Sequence, residues 1–269
     1  MKLIATSDEV FSVIGEAKRS STCFVTNLFP DQRKLEAWIQ RKQLFEISRG
    51  PVALLLRKDL DFHHILFAAA EPAALRDALR LLPHMETAVT DLIGRVTDVD
   101  KLASCFEVAG FRKHNTLQRL AWLRNPASSS APDPAVVCAV SDDIPAILAA
   151  LHGNFDRFAE QIPPLEELQT AVDQKQILVI RNGPALAGFL YFESKAQAGI
   201  VRYWFTSESN RRQGVGAKLM KTFFSQCPGA VRLMLWVITT NANAINIYSH
   251  YGFKPDGLVA LVMIKQTAP

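Results

Sequence analysis

The chain has 269 residues, 49% hydrophobic and 21% charged, with a net charge of +4. That balance suits one large packed domain or two of ordinary size. It leaves no apolar run of the roughly 18–20 residues that cross a bilayer and no Lys/Arg run as long as a nucleic-acid tail. Asp8 and Glu9 stand where a secretory leader needs an apolar stretch, so the expected location is the cytosol. Cys23, Cys105, Cys138 and Cys227 form no C-x-x-C pair and fit no zinc spacing. They read as reduced, mostly buried thiols, with no metal.

In chain order, the pattern predicts a strand at 23–26 and a helix at 31–41. Strands follow at 45–48, 52–57 and 64–68, then a helix at 72–82, a strand at 87–93, a helix at 99–109 and a strand at 117–123. His63 and His64 are adjacent in a strand, so they point to opposite faces and do not share a metal. Residues 126–135 carry three prolines, three serines and no large apolar residue. Such a stretch buries too little to order itself and reads as a linker between domains at 1–125 and 136–269. Beyond it, Ser141, Asp142 and Asp143 open a helix with Ile144, Ile147, Leu148 and Leu151 at helical spacing. Pro163 and Pro164 break the chain before a helix at 165–172. Strands are predicted at 177–180, 186–193 and 200–206, a helix at 214–224, a strand at 231–238, a helix at 242–251 and a last strand at 258–265. Strands interleaved with helices point to an α/β or α+β layered fold.

The two halves repeat a signature. Phe106-Glu107-Val108-Ala109-Gly110-Phe111 and Tyr248-Ser249-His250-Tyr251-Gly252-Phe253 each close a predicted helix before the last strand of their half. The same offset sets Ala69-Ala70-Glu71-Pro72-Ala73-Ala74 under the six residues from Arg211 to Gly216. The first copy has an acid and no glycine there, and Phe106 in place of Tyr248. It reads as a copy that has lost an anion cradle and a hydroxyl.

Arg211-Arg212-Gln213-Gly214-Val215-Gly216-Ala217 follows a predicted strand and opens a helix. The first N–H groups of a helix lack partners within it, and the helix dipole makes that end positive. Gly214 and Gly216 let an anion approach the backbone, and the guanidinium forks of Arg211 and Arg212 suit phosphate. The turn lacks the Lys-Ser/Thr of a P-loop and the third glycine of a dinucleotide fingerprint. A plain helix start with tight glycine packing is the alternative.

This turn and the helix one strand beyond it resemble the GNAT acetyltransferase family. Arg211, Gly214 and Gly216 match its pyrophosphate motif, Gln/Arg-x-x-Gly-x-Gly/Ala. Asn241, Ala244, Tyr248, Gly252 and Phe253 match its next motif, Asn-x-x-Ala-x-x-x-Tyr-x-x-x-Gly-Phe, one strand later. The resemblance covers about 136–264. It implies a mixed, strongly bent sheet flanked by helices and a splayed strand pair that holds acetyl-CoA; the internal repeat alone extends this to two tandem GNAT-like domains. It assigns backbone bonds to the pantetheine arm at Phe205 and Thr206 and the diphosphate to the amides of Arg212, Gln213, Gly214, Val215, Gly216 and Ala217. Asn241 is expected on the pantetheine arm and Tyr248 near the sulfur.

The implied reaction is acetyl transfer to an amine of a small molecule or peptide, with Tyr248 as general acid for the departing thiolate. Glu193, at a strand end, is the first candidate base. Asp156 and Glu160, where the family's first two helices shape its acceptor pocket, and His152 on the first helix are lesser candidates, with an ordinary surface or capping role the favoured reading of each, and a water chain can replace a dedicated base. Two other readings stay open: a longer acyl or aminoacyl donor on CoA or a carrier protein, and a CoA-binding regulatory module without catalysis. The expected partners are acyl-CoA and the acceptor, without nucleic acid or membrane. The protein is expected as a monomeric pseudo-dimer or a homodimer.

Overall fold

The computed structural model describes residues 1–29, 31–59, 61–123, 131–195 and 197–266. The first half of the expected linker, 126–130, lies outside the described residues.

One succession of elements occurs twice. The first series is β1 (Lys2–Leu3), α1 (Ser7–Arg19), β2 (Val25–Thr26), α2 (Gln32–Gln40), β3 (Leu44–Ser48), β4 (Val52–Lys58), β5 (His63–Ala69), α3 (Pro72–Ala78), β6 (Thr87–Gly94), α4 (Val96–Val108) and β7 (Arg112–Leu123). The second is β8 (Val137–Cys138), α5 (Ile144–Asn154), α6 (Leu165–Asp173), β9 (Ile177–Asn182), β10 (Ala185–Lys195), β11 (Ala198–Thr206), α7 (Val215–Gln226), β12 (Arg232–Ile238), α8 (Ala242–His250) and β13 (Lys254–Gln266). With β2 set aside, the second series repeats the first element for element.

The repeated signature closes α4 and α8 in the same way. Phe111 N–H bonds to Phe106 O at 3.0 Å, and Phe253 N–H to Tyr248 O at 3.1 Å. The intervening Gly110 and Gly252 sit at φ +86° and +91°, the left-handed cap that glycine adopts without strain.

Most predicted elements are present within a few residues. Helix α1 is an addition. Thr6 caps it, Asp8 and Glu9 lie in its first turn, Lys18 and Arg19 in its last, and Val10, Val13 and Ala17 are buried. The helical spacing and end charges were legible signals.

The chain packs as two units, Met1–Leu117 with Gly257–Pro269, and Gln118–Asp256. It passes from one to the other inside β7 and inside β13. In the first unit the strand order is β1-β3-β4-β5-β6-β13, with β2 on β5. β13 runs antiparallel to β6 from Val259 opposite Gly94 to Gln266 opposite Thr87. β4 is buried on both faces. Leu54 and Leu56 face a core with Phe67, Leu102, Phe106, Leu261 and Met263, while Ala53 and Leu55 face Val10, Val13 and Leu35. His64 is buried and bonded to Arg57 and Asp91, while His63 is half-buried.

In the second unit the order is β7-β12-β11-β10-β9-β8. On one face Leu219, Phe223, Leu190, Leu233, Leu235 and Phe253 form a core joined by Leu120 of β7. On the other, α5 and α6 set Ile147, Leu151 and Leu168 against Val179, Phe189, Tyr191 and Tyr203. No helix among the described residues is long and apolar enough to cross a membrane.

Candidate active site

The site begins where two parallel strands part. β11 pairs with β12 from Ala198 opposite Arg232 to Val201 opposite Leu235, and no further. On its other side β11 stays paired with β10 as far as Thr206 opposite Gly188. A bulge accounts for the divergence. Tyr203 lies opposite Tyr191 and Val201 opposite Phe192, so Arg202 is an extra residue that bends the strand. The bulge also resets the faces. Val201 packs in the α7 core and Tyr203 in the α5–α6 core. The edge of β11 from Arg202 to Thr206 therefore has no strand partner in register.

At the end of that edge the chain turns into α7. Arg212 and Gly214 take left-handed conformations at φ +62° and +77°. Left-handed residues interleaved in a turn make a concave nest of N–H groups that suits an anion. No backbone carbonyl among the described residues accepts the amides of Arg212, Gln213, Gly214, Val215, Gly216 or Ala217; the first bonded one is Lys218 N–H, to Gly214 O at 3.0 Å. A side chain on Gly214 would meet open space, but its φ is strained for anything except glycine. A Cβ on Gly216 would come within 3.0 Å of the Trp204 ring. Arg211, Arg212 and Gln213 are exposed. The buried Asn210 braces the turn, donating to Ser207 Oγ at 2.8 Å and Ser209 Oγ at 3.2 Å, a role the sequence motif did not mark.

Two aromatic residues line the parted strands. Trp204 packs between Tyr248 and Tyr251, at ring distances of 5.5 and 5.8 Å. Its indole N–H is buried with no acceptor. An unmade buried bond costs about 1–3 kcal/mol, so this donor suits a ligand that brings an acceptor. Tyr248 is half-buried and also packs on Phe253 at 6.1 Å. No described residue hydrogen-bonds its hydroxyl. Burial raises the phenol above its ordinary range, and the charge of Glu160 adds to this. Asn241 caps α8, its side-chain carbonyl accepting Ala244 N–H at 3.1 Å. Its amide NH₂ remains to donate to a ligand.

The carboxylates divide into different roles. Glu193 is ion-paired with Arg202, which lies 3.8 Å from Glu167 and over the rings of Tyr191 and Tyr203 at 5.8 Å each. That pairing ties Glu193 to the sheet, in place of the free carboxylate a base requires. Asp156 caps its own turn, accepting Phe158 N–H and Ala159 N–H at 2.9 and 3.1 Å. His152 is exposed on α5. Glu160 takes the Asp156 N–H on Oε2 at 2.8 Å, and burial pushes its carboxyl up to about 7. Among the described residues no group of three or more His, Cys, Asp or Glu side chains could hold a metal.

Residues 145–253 match the model of the acetyltransferase (GNAT) family. No curated protein matches the sequence. Among solved structures, the chain resembles a tandem GNAT protein from the clavulanic acid biosynthesis pathway at 10% identity and a TM-score of 0.61, covering 99% of this chain and 98% of that one. A GCN5-related N-acetyltransferase from Sphaerobacter thermophilus aligns at 12% identity and a TM-score of 0.59, over 97% and 92% of the two chains. A GNAT-family acetyltransferase from Colwellia psychrerythraea aligns at 13% and 0.58, over 99% of each. These likenesses extend the GNAT fold to nearly the whole length, and the match to the GNAT acetyltransferase model lies within the second half of the chain, at residues 145–253.

Proposed function

We propose that the second unit transfers the acetyl group of acetyl-CoA directly to an amine of a small molecule or peptide. One observation carries the reading: the open edge of β11 leads into a turn of six consecutive amides without backbone acceptors. The amides from Arg212 to Ala217 would hold the diphosphate, with Arg211 and Arg212 supplying charge. The backbone at Phe205 and Thr206, the Asn241 amide and the Trp204 indole N–H would hold the pantetheine arm.

In the reaction the amine nitrogen attacks the thioester carbon. The C–N bond forms, the C–S bond breaks, and Tyr248 gives its proton to the departing sulfur. The raised phenol pKa keeps that proton in place at working pH. Desolvation penalises the thiolate in the same cleft as well, so donor and acceptor shift in the same direction.

Residues 1–125 are, in this proposal, a copy without a CoA site, joined through 126–135 to the catalytic copy at 136–269. The protein works as a monomer in the cytosol. The test is calorimetry with acetyl-CoA and longer acyl-CoAs, followed by thiol release across amines, amino acids and peptides. Micromolar binding and thiol release are expected. Absence of affinity for every CoA species would refute the proposal, and a marked preference for a longer chain would change the donor.

A further inference from the structure

The open question at this site is where the amine leaves its proton. An alkylamine is protonated at neutral pH and has no lone pair to attack with until a base takes one proton. With Glu193 ion-paired to Arg202, the Asp156–Pro164 loop between α5 and α6 offers a different carboxylate.

Three observations set Glu160 apart. Its position is fixed: Tyr203, on β11 where the strands part, places its hydroxyl 2.6 Å from Glu160 O and 2.8 Å from Gln161 O, so one phenol holds the loop by its backbone. Its carboxyl is oriented but not neutralised: Oε2 takes the Asp156 N–H at 2.8 Å, and no described residue bonds to Oε1. Its charge also adds to the burial that raises the Tyr248 phenol, the acid of the proposed reaction. The groups around it are the Asp156 carboxylate on its own loop, the Tyr203 phenol from β11 and the Tyr248 phenol from α8. Arg202 acts on Tyr203 and is matched by Glu193 and Glu167.

We propose that Glu160 is the general base for the acceptor amine, facing the acid Tyr248 across the attacked thioester. This rests on the acetyl-transfer reading above. Glu160 Oε1 takes one proton from R–NH₃⁺, and the freed lone pair forms the C–N bond. As the C–S bond breaks, Tyr248 protonates the sulfur, and the second nitrogen proton restores the phenol. Glu160 passes its proton to solvent, so one proton is released per turnover. A carboxyl with a pKa near neutrality has the balance of basicity and ionised fraction that such a step needs.

The test is the pH profile of thiol release from acetyl-CoA by the wild type and E160Q, with an alkylamine and with a hydrazide, which is already neutral at pH 7. The carbonyl of the introduced glutamine can still accept the Asp156 N–H. With the alkylamine, the wild-type rate should rise through pH 7, and E160Q should lose that limb and about 10²-fold in kcat/KM. With the hydrazide the loss should fall below about tenfold, a recovery that a merely misplaced loop would not show. Equal losses on both amines, or a limb that survives in E160Q and disappears in E193Q, would overturn the assignment. If E160Q is insoluble, the wild type decides: a profile through pH 7 for the alkylamine and a flatter one for the hydrazide support it, and identical profiles overturn it. A wild type that neither binds acetyl-CoA nor releases thiol would sink the acetyl-transfer reading itself.

Discussion

Both copies contain a parallel strand pair that parts, and they differ in what occupies the parted edge. In the first copy β5 pairs with β6 only at His63 and His64. Beyond that point the chain around β2, which has no counterpart in the second copy, takes over. Val25 and Thr26 pair with Ala69 and Ala68, and Asn27 reaches the rest. Its side chain donates to Ile65 O at 3.0 Å and accepts Phe67 N–H at 2.7 Å. In the second copy the corresponding edge from Arg202 to Thr206 has no such cover. The next helix differs too. α3 starts behind Glu71 with Pro72 at its first position, so it presents a carboxylate and lacks one N–H. α7 starts behind the left-handed Gly214. One fold thus yields a sealed edge and an open one through a handful of residues, which shows that the fold alone does not carry the site.

The comparison can be broken most severely by separating the copies. Leu120 and Trp122, from the first copy, pack in the core of the second unit, while 257–266, from the second copy, forms a β13–β6 ladder in the first. Residues 130–269 expressed alone should therefore aggregate or self-associate in size-exclusion chromatography. A soluble, monomeric, active fragment would show that the shared strands are dispensable. Within the full chain, Gly214→Pro copies the first copy's residue onto a φ of +77° that proline cannot adopt and removes an amide. Calorimetry should show acetyl-CoA affinity lowered at least about 10²-fold, or roughly 2.7 kcal/mol or more.

Tyr248→Phe makes the second copy resemble Phe106. Turnover should fall about 10²-fold with acetyl-CoA binding nearly intact, and an unchanged kcat would remove Tyr248 from the mechanism. Asn27→Ala removes the seal from the first copy. It leaves the buried Phe67 N–H without its Asn27 acceptor, while Ile65 O keeps the Thr90 hydroxyl at 3.0 Å, and should cost about 1–3 kcal/mol in denaturant unfolding, without giving the first copy affinity for CoA by calorimetry.

The smallest effect is on stability against pH. The Glu160 carboxyl lies at about 7 in the fold, against 4.5 when free. The folded chain thus holds this proton more tightly than the unfolded chain. Its contribution is complete below pH 4.5 and is lost as pH rises through 7. Allowing for screening of a part-exposed group, the change is about 1–2 kcal/mol. Glu160→Gln should flatten that part of the unfolding profile between about pH 5 and 8.

Much of this could be read along the chain. The glycine turn was legible because a left-handed helix start calls for Gly214 at one position, and the Gly110 and Gly252 caps were legible for the same reason. Helix α1 was equally readable, from Thr6, Asp8, Glu9 and the 10–13–17 spacing. Asn27 was not, because its partners lie about 40 residues away. The weak reading of Glu160 has a related cause. Its raised carboxyl comes first from desolvation, and its backbone is held by Tyr203 about 40 residues away; of its surroundings only Asp156 lies within the 156–164 loop.

By itself, the sequence determined what depends on near neighbours: the order of helices and strands, the caps, the glycine turn with its arginines, and the tyrosine that one copy keeps and the other lacks. Tertiary structure decided which unit β13 joins, which parted edge is sealed by its own chain, and which carboxylate is paired and which is left unneutralised. Backbone conformation is largely set by local sterics and hydrogen bonding. Edge pairing and the ionisation of a buried acid are set by groups that folding brings together from distant parts of the chain.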